Sequence, residues 1–309
     1  MILCCGEALI DMLPRKTVAG EDAFAPYPGG AVFNTAIALG RLGARAGFFS
    51  GLSRDLFGRR LTAALDEAGV DHGLAALSDR PTTLAFVTLE DGQARYAFYD
   101  ENTAGRMLGE GDLPPLGEDV SALFFGGISL VAEPCGSAYE ALMLRAAKDG
   151  RLTMIDPNIR PGFITDESAY RARLARLLAV ADIVKLSDED LRWLEGAGEV
   201  ADLAGAVMAR GPRLVLVTEG ADGARAVTAG GTVRVPAERV EVVDTVGAGD
   251  TFNAGVLAGL EREGLLSREA LARAGEEALA RAVALGIRAA AVTVSRAGAN
   301  PPWAAELGL

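Results

Sequence analysis

Asp244-Thr245-Val246-Gly247-Ala248-Gly249-Asp250-Thr251-Phe252 is the stretch on which the reading of this chain turns. Three small residues, Gly247, Ala248 and Gly249, precede a lone acid, Asp250. From Thr251 to Leu257 the sequence becomes apolar at helical spacing. A small-residue turn that opens a helix aims several unpaired backbone N–H groups at one point, and the helix dipole adds about half a positive charge there. Such a spot suits a phosphoryl group that gains negative charge during transfer. A carboxylate among those donors is placed to take a proton from an alcohol. A bare Gly-x-Gly would serve equally to turn a strand into a helix, so the rest of the chain must decide.

Outward from this motif the chain alternates. Short apolar runs at 2–5, 46–50, 122–125, 152–155, 183–185 and 214–218 read as buried strands. Helical spacing covers 31–42, 57–68, 138–149, 170–180, 189–195, 200–210 and 251–289, the last with a break near Gly264. Repeated βα units predict a mainly parallel sheet with helices on both faces. Two segments break the pattern. Residues 83–89 and 94–99 are β-rich, and Asp91-Gly92 between them is a hairpin signal. Residues 12–28 are turn-rich, with Pro14, Pro26 and Pro28. Together, about 12–28 and 82–103 are expected to form a small β lid on a single domain spanning 1–309.

Other strings carry polar chemistry at expected strand ends, where open parallel sheets hold ligands. Asp11 follows the first strand and can accept from two hydroxyls. Pro28-Gly29-Gly30 opens a helix bearing Asn34; the glycines admit close backbone approach, and Asn34 both donates and accepts. Asp156-Pro157-Asn158-Ile159-Arg160-Pro161 follows a strand, and the planar fork of Arg160 suits phosphate or a substrate oxygen. Lys185-Leu186-Ser187-Asp188-Glu189-Asp190 ends a strand and starts an acidic helix, as capping alone would also require.

These strings, in this order, resemble the ribokinase-like (PfkB-type) carbohydrate kinases, a family that includes bacterial fructokinases. The resemblance runs from Gly6-Glu7-Ala8 to Gly298-Ala299. It implies an ATP-dependent kinase acting on a neutral sugar, with fructose first. Asp250 would be the base, and N–H groups from Gly247 to Asp250 the anion hole. Asp11, Gly29, Gly30, Asn34, Phe98 and Arg160 would face the sugar. Lys185, Ser187, Thr218, Gly220, Gly223 and Gly249 would face the nucleotide. The family's Asn-x-x-Glu motif, which organises water around Mg²⁺, has Ser187 and Asp190 in its place here, with Glu189 adjacent. In many members a monovalent cation such as K⁺ also binds; Asp244 and carbonyls near Val246, Ala291 and Gly298 would serve it. The resemblance further implies a homodimer joined through the lid. Within the family, 2-keto-3-deoxygluconate kinase is the main rival. Asp100 stands where such kinases tend to carry Arg, so it should repel an acid sugar.

Composition narrows the alternatives. Half of the 309 residues are hydrophobic and the net charge is −12, which disfavours a nucleic-acid surface. Cys4, Cys5 and Cys135 form no C-x-x-C pair, and the single histidine, His72, excludes multi-histidine metal sites. No signal peptide or membrane span is expected, so the reading is cytoplasmic. A P-loop is absent, and a Rossmann fingerprint would need a second glycine in register after Gly6.

Overall fold

A computed structural model describes the backbone of residues 1–90 and 93–309 and the side chains of 1–88 and 97–309. The strands are β1 (Ile2–Cys5), β2 (Leu9–Lys16), β3 (Asp22–Gly29), β4 (Ala46–Phe49), β5 (Gly51–Ser53), β6 (Ala76–Ser78), β7 (Leu84–Glu90), β8 (Gln93–Tyr99), β9 (Ala122–Gly126), β10 (Leu152–Asp156), β11 (Ile183–Ser187), β12 (Leu214–Thr218), β13 (Ala224–Thr228) and β14 (Gly231–Val235). The helices are α1 (Ala31–Arg41), α2 (Leu56–Glu67), α3 (Cys135–Lys148), α4 (Glu167–Leu178), α5 (Asp188–Glu195), α6 (Val200–Met208), α7 (Ala248–Arg262), α8 (Arg268–Leu271) and α9 (Glu276–Val294).

Eight strands form the main sheet in the order β14-β13-β12-β11-β10-β9-β1-β4. It is parallel from β4 to β12, and β13 and β14 add an antiparallel edge. Alternation along β1 shows the two-faced burial. Ile2 and Cys4 enter the core beneath α1, α7 and α9, while Leu3 and Cys5 enter the core beneath α3 and α4. Strand order reverses at β1, which has β4 on one side and β9 on the other. The loops that follow β1, β9, β10, β11 and β12 therefore open at one end of the sheet, beside a topological switch point.

A second sheet has the order β3-β2-β7-β8. Its β7–β8 hairpin agrees with the expectation, although Asp91 and Gly92 lie outside the described residues. Residues 12–28 differ from the turn-rich reading: β2 and β3 are a regular antiparallel pair. Pro26 and Pro28 lie two apart on an edge strand, so both missing N–H groups fall on its unpaired side. The β13–β14 hairpin and the small β5–β6 pair had no expected strands. The C-terminal break near Gly264 is present, and α9 runs on to Val294.

Helix α7 is buried from Asp250 to Leu260. It lies against α9 through glycines. A Cβ at Gly255 would stand 2.6 Å from the Gly286 Cα, and one at Gly259 would stand 2.6 Å from the Ala282 Cα. Backbones held that close fix the height at which the N-terminus of α7 meets the sheet. Gly259→Leu should therefore destabilise the fold by about 1–3 kcal/mol through overpacking. Urea unfolding would show this as a lowered midpoint; an unchanged midpoint would mean the two helices can separate freely.

Candidate active site

The N-terminus of α7 is built as its sequence requires. Gly247 caps it in the left-handed region, at φ 78°, and a Cβ there would stand 2.7 Å from the Ala299 Cβ. The Ala248 N–H donates to the Thr245 carbonyl at 3.3 Å, and the Thr251 N–H to that of Gly247 at 2.9 Å. Of the N–H groups expected to form the anion hole, that of Ala248 is engaged in the turn itself, and those of Gly247, Gly249 and Asp250 find no acceptor among the described residues.

Asp250 is 9% exposed, and its Oδ2 accepts from Asn34 Nδ2 at 2.9 Å. The Thr35 hydroxyl lies 3.2 Å from the Asp250 carbonyl, so α1 grips the first turn of α7 at two points. Burial pushes the Asp250 carboxyl up to about 7. The Asn34 hydrogen bond opposes this, Asp156 adds to it, Lys185 opposes it and Glu7 adds to it.

Asn34 is held in place by a residue to which the sequence reading assigned no role. Glu7, just past β1, accepts from the Ala31 N–H at 2.8 Å and from the Ser129 N–H at 3.3 Å. Helix α1 has only Gly30 at its cap, at φ 107°, with no side-chain acceptor. That uncapped start was the signal that an acceptor must come from elsewhere. A Cβ on Gly30 would stand 2.8 Å from the Glu7 carbonyl, and one on Gly127 2.2 Å from its Oε1. Burial raises the Glu7 pKa. Asp11, on β2, faces Gly29, where a Cβ would stand 2.1 Å from Asp11 Oδ2. The glycine pair thus makes room for two carboxylates. Burial pushes Asp11 up to about 6.

A second polar cluster lies beneath α7. Asp156 Oδ2 accepts from Lys185 Nζ at 3.0 Å and from Asn253 Nδ2 at 2.7 Å. Lys185 is buried, and its Nζ comes within 3.3 Å of where a Gly249 Cβ would stand. Asp190 accepts from the Ile159 N–H at 2.9 Å through Oδ1 and from the Ser187 N–H at 3.2 Å through Oδ2. Ser187 returns the bond in a capping box, so Asp190 clamps the loop after β10 onto α5. Burial raises its pKa. Glu189 is exposed beside it. Arg160 is exposed and donates to the Ile159 carbonyl at 3.1 Å. Phe98 of the second sheet meets Phe163, three residues past Arg160, edge to face at 4.5 Å.

At the far end, Thr218 closes β12 and Gly220 turns at φ 56°. Gly223 is required by β14: a Cβ would stand 2.1 Å from the Val235 carbonyl. Asp244 draws its own neighbourhood together, accepting from the Val246 N–H at 3.0 Å and the Gly298 N–H at 2.8 Å. The Ala291 carbonyl accepts from Ser295 at the end of α9. One inference from sequence fails here. Asp100 is paired with Arg106 at 2.7 Å, so it is no free negative charge to repel an acid sugar.

An acid at a helix N-terminus, beside open N–H donors and at the carboxyl end of a parallel sheet, is a phosphoryl-transfer arrangement. Residues 1–306 match the pfkB family carbohydrate kinase model, and the chain belongs to that family. It is 55% identical over 279 residues to the fructokinase of Rhizobium leguminosarum bv. trifolii, covering 90% of this chain and 85% of that one. Among solved structures, it resembles fructokinase with bound ATP from Xylella fastidiosa, with a TM-score of 0.87, 30% identity and coverage of 96% and 93%. It also resembles aminoimidazole riboside kinase from Salmonella enterica complexed with aminoimidazole riboside and an ATP analog, with a TM-score of 0.85, 28% identity and coverage of 99% and 98%.

A carboxyl raised to about 7 by burial costs stability over the pH range in which the unfolded chain ionises and the folded one does not. Below the unfolded value near 3.8 both states are protonated and nothing is lost. Between about 3.8 and 7 the penalty grows, and above 7 it is complete and constant. Asp250→Asn should therefore leave stability almost unchanged at pH 4 and raise it at pH 8, by at most about 4 kcal/mol. Thermal melting at the two pH values checks this; equal shifts at both would show that ionisation is not the cause.

Proposed function

We propose that this carbohydrate kinase transfers the γ-phosphoryl group of ATP to a hydroxyl of fructose. The observation that carries the chemistry is the Asn34–Asp250 pair at the mouth of α7, next to the Gly249 and Asp250 N–H groups. Asp250 accepts the proton of the attacking hydroxyl, the oxygen so formed attacks the γ-phosphorus in line, and ADP leaves. The two N–H groups take up the charge that develops on the phosphoryl oxygens. Asp11, Gly29, Gly30 and Asn34 form the sugar side, with Phe98 and Arg160 at its rim. Thr218, Gly220, Gly249 and the loop from Asp244 to Val246 form the nucleotide side. Fructose is favoured by the fructokinases among the relatives, since the Asp100 argument no longer weighs against an acid sugar.

Among the described residues, no group of three or more carboxylate, Cys or His side chains could hold a metal ion. Asp190 has both oxygens engaged by backbone N–H groups. This donor set fits an ion that arrives on the nucleotide's phosphates and is held through water, with Glu189 as the exposed carboxylate nearby. Mg²⁺ so bound would neutralise phosphate charge. Asp244, already tied to Gly298, is the proposed anchor of a K⁺ site with carbonyls near Val246 and Ala291. The second sheet acts as the lid, and its exposed aromatics Phe24, Tyr27 and Tyr99 make it the proposed face for a second copy.

Two measurements test the reading. With ATP and Mg²⁺, ADP release should be fastest with fructose in a panel that includes 2-keto-3-deoxygluconate, ribose and aminoimidazole riboside. Preference for another sugar would overturn the substrate and leave the chemistry standing. Asp250→Asn should lower kcat by at least about 10²–10⁴-fold with nucleotide binding retained; more than a tenth of the activity remaining would remove Asp250 as the base.

A further inference from the structure

We propose that Lys185 and Asp156 form a neutral buried ion pair beneath the first turn of α7, and that its charge balance sets the pH at which Asp250 works. Both would be positioning residues of the phosphoryl transfer. The inference rests on the reading of Asp250 as the base.

The geometry is specific. Lys185 is 4% exposed and Asp156 3%. They lie on adjacent parallel strands, β11 and β10, and meet at 3.0 Å. Asp156 also accepts from Asn253, one helical turn beyond Asp250 on α7, and from the Asn158 N–H at 3.2 Å. Lys185 Nζ reaches under Gly249, the residue just before Asp250. The pair is thus bolted to the helix that carries the base. The charges facing Asp250 come from three further elements: Glu7 after β1, Asp156 on β10 and Lys185 on β11. Helix α1 presents the neutral amide of Asn34. One cation is set against two carboxylates besides Asp250 itself. Without Lys185, ionising Asp250 would place a further negative charge in a closed, weakly screened site that must also receive phosphate. The packing of a buried Lys on a buried Asp would satisfy both groups anywhere. Its place under the anion hole is what ties it to the reaction.

The test is the acidic limb of kcat/KM against pH at saturating Mg-ATP, whose own ionisation is common to every enzyme compared. Lys185→Met should move the limb to higher pH, and Asp156→Asn should move it to lower pH, each by about one unit, as expected for a charge removed near a buried carboxylate. The double variant should return close to wild type, and Lys185→Arg should stay there. A purely structural pair would lower kcat in both single variants without opposite shifts, and limbs that stay together overturn the proposal. If Lys185→Met does not fold, as judged by melting, the near-isosteric Asp156→Asn decides alone: a limb moved down supports the pair, and an unmoved limb overturns it. Should Asp250→Asn remain active, the reading beneath fails. Should it be inactive while the limbs stay put, only this inference fails.

Discussion

An amide-to-carboxylate hydrogen bond, from Asn34 to Asp250, joins residues 216 apart in sequence and, with the Thr35 hydroxyl on the Asp250 carbonyl, ties the two helix starts of the site together. Its length depends on where two helices begin. Helix α1 starts at the end of β3 and is fixed by Glu7, which receives its first N–H. Helix α7 starts at a left-handed glycine and is fixed by its glycine contacts with α9. Neither helix is placed by its own residues alone. Each is located by a backbone approach that only a missing side chain permits.

The buried charges follow from the same geometry. A carboxylate at a helix N-terminus would ordinarily be stabilised in its ionised form. Here burial outweighs that, and Asp250 is driven up towards neutrality. If it is the base proposed above, a carboxyl poised near neutral pH holds its proton weakly enough to release it and strongly enough to take one from an alcohol. Glu7, Asp11 and Asp190 are raised by the same cause. The end of the sheet is therefore a region in which buried negative charge is expensive, which is where a cation under Gly249 has most effect.

Much of this was legible in the chain. The apolar runs gave the parallel strands, and the small-residue turn before Asp250 marked the helix start. What escaped has identifiable causes. Prolines hid β3, because their rule against strands applies to paired positions and these face an open edge. Strand β13 is short and β14, at the sheet edge, is largely exposed, and neither carries a long apolar run to mark it. Glu7 received no role, since the N–H groups that need it lie 24 and 122 residues away. Asp100 was expected to repel an acid sugar although Arg95 and Arg106 lie close in sequence, and only the fold shows that Arg106 pairs with it. Charge arguments made residue by residue fail wherever a partner is supplied by folding.

The prolines of β3 have one more effect. The outer margin of a sheet normally offers alternate donors and acceptors, and a stray extended chain can zip onto them. On this margin Pro26 and Pro28 leave acceptors but remove the donors between them. A foreign strand arriving there would find half of its carbonyls unanswered. The sheet is thus closed to growth on this side without being covered. A molecule approaching the second sheet from that direction gains little from backbone pairing and depends more on side chains, and growth of the sheet into a fibre there is disfavoured.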